Sequence, residues 1–139
     1  FGKDYLEHDQ QAPEITQEII DTGVVLVYGK LNGYSSTIWP NDQASLLPIT
    51  LMYVSSGEQM DIWSAIISAE NVKIRFVNSN NIYSQLASSH SFRYVVIPSS
   101  NSSSGRFANF SRELVLSELT DADVDINNID EVMAYFNNQ

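Results

Sequence analysis

The most restrictive feature of the chain is a pair of strand-like runs separated by a short turn. Met60 to Ser68 and Val72 to Val77 flank a turn at Ala69-Glu70. In the second run Val72, Ile74 and Phe76 share one parity, and Lys73 and Arg75 take the other. A period of two places the two sets on opposite faces of an extended chain. The segment therefore reads as a β-hairpin with one solvated face.

Three further segments read as strands. Val24 to Tyr28 is apolar at both parities, which predicts a central strand buried on both faces. Leu47 to Val54 is a second, with Pro48 at its start or on an edge because proline donates no ladder hydrogen bond. Phe92 to Ile97 is a third, with Phe92, Tyr94 and Val96 inward, Arg93 outward and Pro98 as its stop. A helix is predicted from Pro13 to Asp21, ended by Gly23. A last helix follows Asn128, with Asp130 and Glu131 in its first turn and Ile129, Val132, Met133 and Phe136 on one face. Between these lie the polar connection Tyr34 to Ser45 and the stretch Asn78 to Ser91, which is expected to hold one helical turn around Ile82-Tyr83 and Leu86. The run Ser99 to Gly105 reads as a mobile loop, after which Phe107, Phe110 and Leu114 to Leu116 are expected to return to the sheet. The fold class this predicts is mainly β: an antiparallel β-sandwich with short N-terminal and C-terminal helices, in a single domain over 1–139.

A length of 139 residues with 43% apolar content is enough for one compact core. The net charge of -10 argues against duplex nucleic acid or anionic lipid as a partner. The absence of cysteine excludes disulfides, thiolate metal sites and cysteine nucleophiles. No apolar run approaches the roughly 20 residues of a transmembrane helix, and the opening at Phe1 leads us to expect a leader, anchor or first strand ahead of it. Charge is segmented. Residues 1–70 carry ten acidic and two basic side chains, residues 71–112 five basic and no acidic ones, and residues 113–139 seven acidic and no basic ones. The cationic middle is either neutralised by its acidic flanks or forms an anion-binding face around Lys73, Arg75 and Arg93.

Candidate chemistry is sparse. Asp121, Asp123 and Asp125 alternate like the start of a calcium loop, but the glycine and glutamate that such a loop needs are replaced by Ile126 and Val132. An acidic turn into the last helix accounts for them as well. His90 lacks a nucleophile elbow, and His8 in its acidic surroundings lacks a second histidine for zinc. The six glycines form no phosphate-binding loop, and no cofactor is implied. Asn101 and Asn109 match the glycan-acceptor pattern, which matters only on a eukaryotic secretory route. The positive hint is aromatic. Tyr34 and Trp39 sit in a polar connection, where a ring either stacks on a sugar or partner or folds back to lid the core.

The strings Ala12 to Gln17, Gly23 to Tyr34, Leu47 to Thr50 and Phe92 to Pro98 resemble a group of exported, uncharacterised proteins of Bacteroidetes-type bacteria, some with a similar segment after collagen-like repeats. The resemblance implies a secreted or cell-envelope location and an accessory role, and it carries over no site residue. Nineteen serines and twelve asparagines with 17% charged residues point the same way. The expected function is a non-catalytic extracytoplasmic binding or structural module, engaging glycan or an envelope protein. The alternative is a small carboxylate-dependent hydrolase acting on glycans.

Overall fold

The computed structural model describes residues 5–99 and 110–137. Among the described residues seven strands form two antiparallel sheets. The first is built from β1 (Tyr5–Gln11), β6 (Asn71–Asn78), β5 (Glu58–Ser68) and β4 (Ile49–Val54), in that spatial order, and the second from β3 (Ala44–Leu46), β2 (Val24–Lys30) and β7 (Ser91–Ile97). The predicted hairpin is β5–β6, with Ser68 opposite Asn71, so that Ala69 and Glu70 alone make the turn. Glu70, the second turn residue, takes φ 59°, in the left-handed region.

The sheets face each other across one core. Val27 of β2 packs with Ile49 and Leu51 of β4, Trp63 of β5 and Ile74 and Phe76 of β6. The opposite parity of β2 (Val24, Leu26, Tyr28), with Val95 and Ile97 of β7, faces helices α2 (Arg112–Asp121) and α3 (Ile129–Asn137) through Val115, Leu119, Val132 and Phe136. The molecule thus has three layers: large sheet, small sheet, helices. β2 is the middle strand of the middle layer, which is why both its parities are apolar.

Several expectations are corrected. The first helix, α1 (Gln17–Thr22), begins four residues after Pro13, because the Thr16 hydroxyl caps it by accepting from the Ile19 amide; it ends at Gly23 as predicted. The acidic N-terminal segment is the edge strand β1, and β3 begins at the end of the polar connection that follows β2. Residues 79–90 contain no helical turn. Leu114 to Leu116 lie not in a strand but in α2, whose Ser111 cap accepts from the Leu114 amide. Phe107 and the loop at Ser100 to Gly105 fall outside the described residues. Asn128 does cap α3, its Oδ1 accepting from the amides of Asp130 and Glu131. No helix is long and apolar enough to cross a membrane among the described residues.

Candidate functional site

At one end of the large sheet the inward face changes from apolar to polar. Going along β5, Trp63 is followed on the same parity by Asp61 and Gln59, and along β6 Phe76 is followed by Asn78. All five are buried, Asp61 completely. The Asp61 carboxylate is met by three donors: Asn78 Nδ2 on Oδ1 at 2.7 Å, and the hydroxyls of Tyr34 at 2.7 Å and Tyr53 at 2.9 Å on Oδ2. Trp63 Nε1 donates to the Tyr34 oxygen at 3.1 Å, and the Tyr53 and Tyr83 hydroxyls are 2.6 Å apart. Burial, together with the bond to Asp61, pushes the ionisation of Tyr34 far up. Burial and the bonds to Tyr83 and Asp61 do the same for Tyr53. Both phenols remain donors at every physiological pH.

Over this network lies a cleft of about 180 Å³, walled by Tyr34, Trp63, Phe76, Tyr83, Leu86 and His90. It adjoins a wider trough of about 760 Å³ that shares Trp63, Gln85, Leu86, Ala87 and His90 and runs to Leu6, His8 and Gln10 of β1. Two loops form the rim, and Asn32 ties them together. Its amide donates to His90 Nδ1 at 3.1 Å, its Nδ2 to the Ser89 carbonyl at 3.2 Å, and its Oδ1 accepts from the Asp42 amide at 2.7 Å. Nδ1 of His90 is therefore an acceptor, and the ring packs edge-on to Trp63 at 4.6 Å between centroids. Burial lowers the His90 pKa, with the nearby Asp61 charge opposing.

The residues singled out in the sequence are dispersed. Tyr34 is in the cleft wall. Trp39, five residues on, is 8% exposed, donates its Nε1 to the Gln43 carbonyl at 2.8 Å and belongs to the inter-sheet core. Its ring has no free face for stacking, because the 35–40 segment folds back over the sandwich. Lys73 and Arg75 lie on the outer face of the large sheet, where Glu7 of β1 sits 3.8 Å from the Lys73 ammonium and 2.6 Å from the Arg75 guanidinium. Arg93 is on the small sheet, on the parity that faces the helices, 3.8 Å from Asp130. The three cations do not share a face, and each has a carboxylate from a flanking acidic segment as neighbour.

A polar groove of about 590 Å³ between β2, β7 and the start of α3 gathers Arg93 with Lys30, Asp42, Asp125 and Asp130. There Lys30 and Asp42 are 3.9 Å apart. Asp121 ends α2, Asp123 takes φ 62° just beyond it, and Asp125 accepts from the Asn127 amide in a local turn. Among the described residues no three His, Asp or Glu side chains gather as a metal site.

Sequence reasoning missed Asp61, Tyr53, Tyr83, Asn78 and the role of His90. A signal existed for two of them. Asp61 and Asn78 occupy inward parities of the hairpin, positions that alternation reserves for apolar side chains. No family model, curated protein or solved structure matches the chain.

Proposed function

We propose that this chain is a non-catalytic binding module, extracytoplasmic at the bacterial cell envelope, that engages a glycan through the cleft bounded by Tyr34, Trp63, Tyr83 and His90. One observation carries the reading: an aromatic-walled cleft opens over a polar network whose donors and acceptors are already fixed by Asp61. Aromatic faces suit the apolar faces of sugar rings, and a few oriented polar groups supply selectivity. The small cleft fits one sugar-sized unit, below the ~300 Å³ at which drug-sized sites begin, and the adjoining trough has room for the chain beyond it.

Binding is favoured over hydrolysis by the state of the carboxylate beneath the cleft. Asp61 is fully buried, and its two oxygens hold three donors, so it is placed to fix the Tyr34 and Tyr53 side chains rather than to attack or protonate a glycosidic bond. The envelope location follows from the likeness of the strand and cap strings and from the lightly charged, serine- and asparagine-rich composition.

A glycan array probed with the wild-type chain and with Tyr83→Ala tests this reading. Tyr83 is 40% exposed, so the substitution spares the core. Selective binding that falls by about tenfold or more in the variant is expected, equivalent to the loss of roughly 1.4 kcal/mol. An array without signal, or signal unaffected by the substitution, overturns the assignment of this cleft.

A further inference from the structure

Building on the glycan-binding reading of the cleft, we propose that the sugar unit it accepts carries a free, protonated amine, which Tyr83 receives. A carboxylate only accepts, so the single hydroxyl proton of Tyr53 is committed to Asp61. The 2.6 Å contact between Tyr53 and Tyr83 must then be made with the Tyr83 proton. The relay runs Tyr83 to Tyr53 to Asp61, and what remains on the Tyr83 oxygen is acceptor capacity alone. An ammonium group is all donor. A sugar hydroxyl can also donate there, but without the charge.

The electrostatics point the same way. Asp61 is a fully buried charge neutralised by no cation: its partners are an amide and two phenols, and it belongs to none of the ion pairs among the described residues. Charge buried in a medium of low dielectric acts at longer range than charge in water. Among the described residues, neither the cleft nor the trough is lined by a lysine or arginine. Glu7, at the far side of the trough, is occupied by Arg75 and Lys73. His90 adds no positive charge at neutral pH, because burial disfavours its protonation and its Nδ1 already accepts from Asn32. The walls present aromatic rings, whose faces attract cations. An amine does not reach the Asp61 oxygens, which are covered. It meets the Tyr83 oxygen, polarised through Tyr53 toward the buried Asp61 carboxylate. A uronic acid is repelled by the Asp61 carboxylate.

The test is titration of the chain, followed by amide chemical shifts and calorimetry near neutral pH, with glucosamine, N-acetylglucosamine, glucose, glucuronic acid and methylammonium. Glucosamine is expected to bind about tenfold tighter than glucose, a gain of roughly 1.4 kcal/mol. N-acetylation is expected to remove the gain, and glucuronic acid to bind weakest. Tyr83→Phe keeps the ring at a partly exposed position and is expected to abolish the preference, so that glucosamine and glucose bind alike in the variant. Asp61→Asn is expected to do the same; because it alters a buried group, its fold is checked by circular dichroism, and the comparison among ligands on the wild-type chain decides the question without it. Equal binding of glucosamine and glucose overturns the amine and leaves the glycan reading standing. Binding of methylammonium with no binding of any sugar keeps a cation site and overturns the glycan reading. Failure of all five ligands to bind overturns both.

Discussion

His90 acts as a latch, and its protonation is linked to stability. Its Nδ1 accepts the Asn32 amide proton, and a protonated imidazole has two N–H donors and no acceptor, so protonation breaks that bond. Burial lowers the folded-state pKa below the ordinary value of 6.5. Between the lowered value and about 6.5, the unfolded chain binds more protons than the folded one, so stability rises with pH across that window and is fully present above it. As pH falls through the window, the contribution is lost. Urea midpoints measured from mildly acidic to neutral pH are expected to climb in the wild type and to climb less in His90→Gln. Equal slopes in the two proteins remove His90 from the account. At the same scale Asp61 shows what alternation hides. A carboxylate at an inward parity was readable from the hairpin spacing, but which phenols and amides would satisfy it was not, since Tyr34 and Tyr53 arrive from other elements.

Elements were legible where one period dominates. The hairpin β5–β6 and the twice-buried strand β2 follow from apolar parity alone, and α3 from its cap and its buried Ile129, Val132 and Phe136. β1 was not legible: as an edge strand with the sequence YLEHDQQ it offers Leu6 as its one aliphatic side chain toward the core. α2 buries only Val115 and Leu119, so the contiguous Leu114-Val115-Leu116 reads as a strand. The two edges of the large sheet differ in kind. β1 carries Glu7, His8 and Asp9, whereas β4 (ITLMYV) is uncharged, with Met52 76% and Val54 79% exposed. An uncharged edge strand of high β propensity lacks the usual protection against pairing with other chains. Val54 stands opposite Glu58, so a lysine there gains a cross-strand partner as well as a charge. Val54→Lys is expected to leave the melting midpoint within the change of about 0.5 kcal/mol typical of surface positions and to slow aggregation on heating, read by light scattering. Aggregation at the wild-type rate places the route elsewhere.

At the scale of the whole molecule, the sequence accounts for two sheets and terminal helices but not for the layering, because nothing local states which face of β2 the helices cover. That layering has a consequence for cooperativity. Leu26 of β2 packs against the helices while its neighbour Val27 packs between the sheets, so one strand belongs to both cores. The Tyr28 hydroxyl adds a bond to the Ile126 carbonyl at 2.8 Å, and burial of that phenol pushes its pKa up to about 12. A helical layer held this way unfolds with the sandwich rather than before it. The chain carries its own probes for the question: both tryptophans, Trp39 and Trp63, lie in the inter-sheet core, whereas helical circular dichroism reports on α1, α2 and α3. Urea unfolding followed by tryptophan fluorescence and by helical dichroism is expected to give coincident curves. Leu119→Ala, which empties a fully buried site between α2 and the small sheet, is expected to cost about 2–5 kcal/mol and to shift both curves together. Helical signal lost at lower urea than fluorescence, in either protein, shows instead that the helices dock on a sandwich already stable without them.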